Sequence, residues 1–437
     1  MSLNGNRTFV GFGFGPIQAG LFLYEAFQSG AFRRLVVAEV LPQVVEAIRA
    51  ARGHFTVNIA HFDRVERAEV GPIEIENPAS APDRDRLVQA VAEAAEVSTA
   101  VPSVQHYVSA GPGSLHRLLA EGLRRKASDR GPLAVVYAAE NHNHAAEILE
   151  AKVFEEIPPA EHTAVRARVR FLNTVIGKMS GTVADAEQVR AQGLATITGK
   201  DSRAFLVEAF NRILISKIHY EANSDGPRFE RGIRVFEEKE DLLPFEEAKL
   251  YGHNATHALA AYVGAARGAK RIAELADLPD VMDFLRAAFI RESGEALIRR
   301  HRGVDALFTP EGYREYAEDL LARMVNPYLM DTIERVGRDP ERKLGWDDRL
   351  VGTMRVALRV GVRPARYAFG AAAALAILDP STLRSKHRST GLLDQIWCKS
   401  QPEGGERRAV LGLIEEGQAK LRQWREAGFP NLENIFN

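Results

Sequence analysis

The sequence predicts an α/β N-terminal domain with a mostly parallel sheet, followed by an all-α C-terminal domain. As far as residue 152, short apolar runs of strand length alternate with stretches in which apolar residues recur at helical spacing. This alternation indicates a parallel sheet with helices on both faces. From residue 246 onward the apolar spacing is helical almost throughout, which indicates that the second half forms a separate helical domain.

The expected elements follow the chain in order. Strands are expected at residues 7–13, 35–39, 97–101 and 133–139, and helices between them at 17–29, 42–51, 85–95 and 114–127. Residues 153–245 mix strand-like runs, at 168–176 and 204–208, with glycine-rich and charge-rich connections. In the second half, amphipathic stretches such as 281–299 and 313–324 are separated at Pro279, Pro310, Pro327, Pro364 and Pro380. We expect two domains, residues 1–238 and 239–437.

The composition excludes several classes of protein. The 437 residues are 46% hydrophobic and 26% charged, which is typical of a globular protein. The 57 Lys and Arg nearly balance the 58 Asp and Glu, leaving a net charge of −1, so nucleic acid and anionic membranes are not expected partners. The apolar run at residues 367–378 is shorter than the roughly 18 residues of a spanning helix and predicts a buried helix.

The cysteine content and the first residues predict a cytoplasmic protein. Cys398 is the only cysteine, so the chain cannot form an internal disulfide or a cysteine-rich metal site, and a reducing compartment is expected. The first residues do not have the basic and apolar segments of an export signal.

A glycine-rich turn, GFGFGPIQAG at residues 11–20, follows the first expected strand. Gly13 allows a tight turn, and Gly15 lets main-chain N–H groups approach a pyrophosphate. The helix that begins at Pro16 and Ile17 adds the positive end of its dipole. Gln18 occupies the position of the third glycine in the usual pattern. The turn predicts a Rossmann-type dinucleotide site, the alternative being a glycine-rich turn without a ligand.

An acidic residue, Glu39, ends the second expected strand, 26 positions after Gly13. A carboxylate at this position accepts hydrogen bonds from both ribose hydroxyls and repels a 2′-phosphate. The sequence therefore predicts NAD as the cofactor rather than NADP. The alternative is that Glu39 is a solvent-facing strand end.

Polar side chains recur at helical spacing at the start of the second half. Asn254 and His257 follow Lys249 at +5 and +8, which places them on adjacent turns of a helix. A desolvated lysine can act as a general base, and an amide can donate to a developing alkoxide. The alternative is an ordinary polar helical turn with a packed histidine.

A metal site is the less favoured interpretation of the histidines. His253 and His257 are four residues apart, and His142 and His144 form an H-x-H pair. No His or carboxylate pairing of an established metal motif accompanies them, so no metal is expected.

The pattern K-x4-N-x2-H, followed by AYVG at residues 261–264, resembles the polyol-specific long-chain dehydrogenases, the mannitol dehydrogenase family. Within that family it is most similar to the branch that acts on mannitol 1-phosphate. The likeness continues through residues 326–329, 334–344 and 348–350, and includes Glu140-Asn141 and the glycine turn. Motifs spread over most of the chain therefore agree in order.

This resemblance implies a zinc-independent, NAD(P)-dependent secondary-alcohol dehydrogenase, with the active site in the cleft between a Rossmann-type domain and a helical domain. On the matching positions, Lys249 is the general base. Asn141 and Asn254 hold the substrate oxygen, His257 positions substrate and lysine, and Glu246 relays the proton to solvent.

The chain departs from the family pattern where the substrate would be recognised. Gly177-Lys178 stands where the phosphate branch has an Asp-Arg pair, and Asn211-Arg212-Ile213 stands where that branch has a tryptophan. Arg338, Arg342, Lys343 and Arg349 can bind a phosphate. Alternatively, they form a salt-bridge network with Glu334, Asp339, Glu341 and Asp348.

The expected function is the NAD-dependent interconversion of an acyclic polyol, such as mannitol 1-phosphate, with its keto sugar. The expected partner is thus a small polyol or ketose. Alternatives are an unphosphorylated polyol dehydrogenase, a keto-uronate reductase of the same family, or a non-catalytic NAD(H)-binding sensor.

Overall fold

The computed structural model describes residues 7–220, 229–400, 402 and 404–436. The chain divides into two compact units, unit 1 (Met1–Leu242) and unit 2 (Leu243–Asn437). Unit 1 contains all the strands that the structure describes, whereas unit 2 is helical throughout its described part.

Unit 1 is built on two sheets. The larger sheet has the order β12-β11-β8-β7-β6-β1-β2-β5, and the smaller has the order β4-β3-β10-β9. The strands are β1 (Arg7–Phe12), β2 (Phe32–Ala38), β3 (Phe55–Ala60), β4 (Val65–Val70), β5 (Glu74–Glu76), β6 (Ala94–Thr99), β7 (Ala134–Ala138), β8 (Val169–Ile176), β9 (Ser180–Val183), β10 (Ala204–Glu208), β11 (Ile213–Ser216) and β12 (Phe236–Lys239).

The larger sheet reverses its winding beside β1. The chain passes from β1 to β2 on one side and later returns to β6 on the other side, and β1 pairs in parallel with both. Val10 of β1 lies opposite Val36 of β2 and Val97 of β6. In open α/β sheets ligands bind at the carboxyl ends of the strands beside such a reversal. The fold therefore places the glycine turn, directly after β1, at the expected ligand-binding edge.

Both faces of this sheet are buried. Successive side chains of a strand point to opposite sides, so neighbouring residues of β1 belong to different hydrophobic clusters. Phe9 belongs to a hydrophobic cluster with the smaller sheet, through Phe55 and Phe205. Val10, the next residue, belongs to a second cluster with Leu87 and Leu118 from helices on the other face.

The α-helices follow the chain order in both units. In unit 1 they are α1 (Tyr24–Ser29), α2 (Pro42–Ala50), α3 (Ala81–Glu93), α4 (Leu115–Ser128), α5 (Ala145–Glu155), α6 (His162–Arg166) and α7 (Ala186–Ala191). In unit 2 they are α8 (Leu243–Glu247), α9 (Ala255–Ala266), α10 (Pro279–Ala287), α11 (Glu295–Arg300), α12 (Pro310–Met324), α13 (Ile333–Gly337), α14 (Pro340–Lys343), α15 (Val351–Arg359), α16 (Ala365–Leu378), α17 (Lys386–Trp397), α18 (Gly404–Glu426) and α19 (Glu433–Phe436).

Two other kinds of helix occur. Short 3₁₀ turns lie at Val104–Tyr107, Pro159–Glu161, Ile272–Asp277, Ala306–Phe308, Pro327–Leu329 and Pro380–Leu383. Wider π-helical segments lead into α1 (Gln18–Leu23), join α8 to α9 (Ala248–Asn254) and join α10 to α11 (Ala288–Gly294). Such π-helical turns are rare in proteins, and those that occur are frequently found at functional sites.

The predicted fold class is confirmed, with two corrections. The helix expected at residues 85–95 ends at Glu93, and β6 begins at the next residue. The smaller sheet was not expected from the sequence. Its strand β3 pairs with the neighbouring strand β4 on one side, but on the other side it pairs with β10, which is remote in the chain. The apolar run at 367–378 lies in α16, as predicted, and is buried over most of its length.

Among residues 7–220, 229–400, 402 and 404–436, each helix is either too short or too polar to cross a membrane.

Candidate active site

The glycine turn begins with a residue that must be glycine. Gly13 has a φ of +86°, and a Cβ atom there would lie 2.8 Å from the carbonyl oxygen of Ala100, after β6. Its main-chain N–H donates to the carbonyl of Ala38, at the end of β2, at 2.9 Å. The turn is therefore fastened between the ends of β2 and β6, as the sequence predicted for a tight turn.

Gly15 faces open space at the start of the following helix. No atom lies within 4 Å of the position that its Cβ would take. The helix begins at Pro16, and its first internal hydrogen bond runs from the Ala19 N–H to the Gly15 carbonyl at 2.9 Å. The preceding N–H groups at this end have no partner inside the helix. The turn thus has both the room and the donors that a pyrophosphate requires.

The Glu39 carboxylate is buried and joined to this turn. One oxygen accepts from the Phe14 N–H at 2.9 Å, and the other accepts from the Leu41 N–H at 2.9 Å. The side chain is only 7% exposed, so the alternative of a solvent-facing strand end is wrong. Each carboxylate oxygen retains a lone pair that can accept from a ribose hydroxyl.

Gln18 explains why the third glycine of the usual pattern is displaced. Its side chain is buried, its Oε1 accepts from the Ser98 hydroxyl at 2.9 Å, and its amide packs against the main chain of Gly11. Close contact with the smaller sheet is made by Gly20 instead, where a Cβ would lie 2.5 Å from Cγ1 of Val207. Gly11 and Gly20 together provide the close packing that a glycine at position 18 usually provides.

Glu140 fixes the carboxyl end of β7. Its buried carboxylate accepts from the Thr99 hydroxyl at 2.8 Å, from the Val101 N–H at 2.9 Å and from the Tyr107 hydroxyl. Burial raises the pKa of this carboxyl. Asn141, the next residue, is exposed at the same strand edge as the glycine turn. The sequence did not predict the Tyr107 contact because nothing in its pattern links a 3₁₀ turn to β7.

In unit 2, Lys249 and Asn254 lie on one π-helical segment, Ala248–Asn254, which we call the lysine turn. The sequence predicted ordinary helical spacing for these residues. In an α-helix two positions five apart face directions about 140° apart. In a π-helix five residues are the hydrogen-bonding step, so these positions lie above one another. The π-helical turn therefore brings the amine and the amide to one side of the helix.

Aromatic side chains pack closely against Gly252 in the lysine turn. A Cβ on Gly252 would lie 2.6 Å from the Tyr313 hydroxyl and 2.9 Å from Cε2 of Phe289. Phe289 itself lies in the π-helical segment between α10 and α11. Tyr313 and Phe289 were not identified from the sequence, because they reach the lysine turn through packing of distant helices.

The surroundings of Lys249 favour its neutral form. Burial, and secondarily the positive charge of Arg349, lower the pKa of Lys249 to about 8, while the carboxylate of Glu246 opposes the shift. A base is most effective when its pKa lies near the working pH. The Asn254 side chain is half-buried and has no hydrogen-bond partner among the described residues, so its amide can donate to a substrate.

His257 follows on α9 and is held in a neutral state. Burial, and secondarily the positive charges of Arg335, Arg349 and Lys343, lower the pKa of His257 to about 3. Its Nε2 atom lies 3.8 Å from Oδ2 of Asp331. The described residues contain no group of three His, Cys, Asp or Glu side chains that could hold a metal.

The basic residues after α13 do not form the proposed salt-bridge network. Arg338 and Arg342 are exposed and make no ion pair with the described residues. Of the ion pairs expected in that network, the structure contains the one between Arg349 and Asp348, at 2.8 Å. The ammonium of Lys343 donates to the Arg338 carbonyl, and burial with neighbouring arginines lowers the pKa of Lys343 to about 8. This part of unit 2 is therefore rich in cations.

The two departures from the family pattern touch each other in unit 1. The Lys178 ammonium donates to Oδ1 of Asn211 at 2.5 Å and to the Phe210 carbonyl at 3.0 Å. The Asn211 amide in turn donates to the buried Glu25 carboxylate. Lys178, Asn211 and Glu25 thus form one polar cluster.

A sheet with this reversal, a glycine turn and an acidic residue after β2 define a Rossmann-type dinucleotide-binding domain. Residues 7–225 match the mannitol dehydrogenase Rossmann domain, and residues 241–409 match the mannitol dehydrogenase C-terminal domain. The chain belongs to the mannitol dehydrogenase family.

Relatives cover most of the chain. The mannitol-1-phosphate 5-dehydrogenase of Bacillus pumilus (strain SAFR-032) is 30% identical over 409 residues, 92% of this chain and 97% of that protein. The enzyme of the same name from Bacillus licheniformis is 30% identical over 365 residues, 83% of this chain and 86% of its own length.

Two solved structures share the fold. Pseudomonas fluorescens mannitol 2-dehydrogenase, in a ternary complex with NAD and D-mannitol, has a TM-score of 0.69 at 17% identity, covering 100% of this chain and 96% of its own. A D-sorbitol dehydrogenase in substrate-free form has a TM-score of 0.75 at 14% identity, covering 99% and 96%.

Proposed function

We propose that the protein is an NAD-dependent dehydrogenase that interconverts an acyclic polyol phosphate, such as mannitol 1-phosphate, with its keto sugar. The observation that carries this proposal is the lysine turn, where an amine with a pKa of about 8 shares one side of a π-helix with an unpaired amide. The relatives named mannitol-1-phosphate 5-dehydrogenase, at 30% identity over most of the chain, support the choice of substrate.

The residues of unit 1 fit NAD. The open side of Gly15 and the helix start at Pro16 and Ile17 would hold the pyrophosphate, with Gly13 shaping the turn. Glu39 would accept from the ribose hydroxyls and repel a 2′-phosphate. When bound, NAD supplies the acceptor for a hydride from the alcohol carbon.

The side chains of the lysine turn would handle the proton. Lys249, as the neutral amine, takes the proton of the reacting hydroxyl while the carbon gives up its hydride. Asn254 and Asn141 donate to the oxygen as it becomes a carbonyl, and His257 orients the substrate. Glu246 passes the proton from Lys249 to water, a role that its electrostatic effect on Lys249 supports.

The cationic residues after α13 favour an anionic substrate. Arg338 and Arg342 are exposed without ion pairs to the described residues, beside Lys343. Guanidinium groups bind phosphate through paired hydrogen bonds. The same cations also suit the carboxylate of a keto uronate, so a keto-uronate reductase is the second candidate function.

The proposal is tested by removing the base. In Lys249→Ala, we expect hydride transfer to fall by roughly 10²- to 10⁴-fold, the usual contribution of a general base. NADH binding, followed by fluorescence titration, should stay unchanged, because the glycine turn is in unit 1. The control is Lys386→Ala, which removes an exposed lysine paired with Glu415 and should keep full activity. Activity that survives in Lys249→Ala would show that the base is a different residue.

A further inference from the structure

A buried acid faces the histidine of the candidate active site. Asp331, just before α13, is 6% exposed, and its Oδ2 atom lies 3.8 Å from Nε2 of His257. Both atoms are fully buried, and neither has a hydrogen-bond partner among the described residues. Buried polar atoms without partners are rare, and each requires an explanation.

The position of Asp331 is fixed from two sides. Its other carboxylate oxygen pairs with Arg335, one helical turn along the chain. Its main-chain carbonyl accepts from the Ile272 N–H at 2.9 Å. The free oxygen, Oδ2, is thereby held toward the imidazole.

Burial and the nearby cations favour an imidazole with a single N–H. Arg335, Arg349 and Lys343 surround it with positive charge, and the ring of His253 lies 6.2 Å away. These cations and burial keep His257 neutral, and a neutral imidazole has one donor nitrogen and one acceptor nitrogen. A lone pair on Nε2 would face a carboxylate oxygen and be repelled, whereas an N–H there is attracted.

We propose that Asp331 is a positioning residue that holds the proton of His257 on Nε2 and leaves Nδ1 as an acceptor for a substrate hydroxyl. The separation of 3.8 Å is about 0.9 Å longer than an ordinary N–H···O hydrogen bond. Hydrogen bonds at catalytic sites are often long without substrate and tighten in the complex. The role of Nδ1 rests on the proposed dehydrogenase function, whereas the site of the ring proton does not.

The first test reads the tautomer directly. Protein labelled with ¹⁵N-histidine is examined by NMR, and the His257 signal is assigned by its loss in His257→Gln. We expect an Nε2–H tautomer in the unaltered protein, with that preference reduced in Asp331→Asn. An Nδ1–H tautomer in the unaltered protein would overturn the proposal. This measurement needs no substrate, so it is decided even if the protein proves not to be a dehydrogenase.

The second test separates orientation from a merely structural role. Asp331→Asn should lower kcat about 10- to 100-fold, by analogy with residues that orient metal-binding histidines, with NADH affinity unchanged. In a His257→Gln background the same change should cause no further loss. Additive losses would overturn the proposal.

Two further variants serve as controls. Arg335→Gln breaks the ion pair with Asp331 but leaves Oδ2 facing His257, so its loss of kcat should be smaller than that of Asp331→Asn. An equal loss would mean that only the ion pair matters, against the proposal. Glu295→Gln removes an exposed ion pair with Arg299 at the same spacing and should leave kcat unchanged.

Discussion

The glycine turn and the lysine turn differ in the groups that they offer to a ligand. The glycine turn, residues 11–20, offers its main chain, since Gly13 sets the direction of the chain and Gly15 leaves N–H groups open. The lysine turn offers the side chains of Lys249 and Asn254, which a π-helix brings to one side. Each includes a π-helical segment with a glycine pressed against a neighbour, Gly20 on Val207 and Gly252 on Tyr313. A main-chain site is therefore visible in local sequence, whereas a side-chain site depends on packing from elsewhere.

The largest effect is expected from disturbing the lysine turn. In Gly252→Ala, the new Cβ collides with the Tyr313 hydroxyl, so the π-helical turn must shift. A displacement of about 1 Å at a catalytic group can reduce the rate roughly 10²-fold. We expect a fall in kcat of that size with NADH affinity unchanged, measured by steady-state kinetics and fluorescence titration.

A second change should partly reverse that loss. Tyr313→Phe removes the oxygen that the new Cβ meets, so Gly252→Ala with Tyr313→Phe should regain part of the activity. Gly391→Ala is the matched control, because this helical glycine has no atom within 4 Å of its Cβ position. A Gly252→Ala enzyme with full kcat would mean that the lysine turn tolerates an ordinary side chain.

A smaller effect, on NADH affinity rather than on kcat, is expected from changing the glycine turn. Gly13→Ala forces a side chain to a φ of +86° and against the Ala100 carbonyl. Strain of this kind costs about 1–3 kcal/mol. We expect NADH affinity to fall about 10-fold or more, with kcat at saturating NADH largely retained.

Gly30→Ala separates strain from binding in this experiment. Gly30 also has a positive φ, +62°, but no atom lies within 4 Å of its Cβ position. It should lose some stability in thermal unfolding and keep its NADH affinity. Equal losses of affinity in both variants would contradict the role given to Gly13.

The smallest expected effect is a shift in pH dependence. With the neutral amine of Lys249 as the proposed base, alcohol oxidation should rise with pH until about 8 and then level off, and ketone reduction should fall above about 8. Glu246→Gln removes a charge that raises the pKa of Lys249, so the profile should move to lower pH. Arg349→Gln removes a charge that lowers this pKa, so the profile should move to higher pH. Shifts in the same direction in both variants would contradict Lys249 as the titrating group.

The difference between the glycine turn and the lysine turn also explains which features could be predicted from the sequence. The strand, glycine turn and Glu39 follow one another within 33 residues, so local pattern was sufficient to predict a nucleotide site there. The role proposed for Lys249 came from family resemblance, because spacing alone left open an ordinary polar turn of a helix. Gln18 at the place of a glycine was explained only by the contact of Gly20 with β10, which is distant in the chain. Asp331 and Tyr313 also reach the site through tertiary packing.

NADH consumption at neutral pH with fructose 6-phosphate, fructose and keto uronates as substrates decides between the candidate functions. We expect turnover of the ketose phosphate, with a kcat/KM at least about 10-fold above that for fructose, as one charge-assisted phosphate contact would give. If a keto uronate is the only compound turned over, the protein is a keto-uronate reductase, the second candidate function. Bound NADH without turnover of any of these compounds would contradict the proposed dehydrogenase and favour a protein that only senses NAD(H).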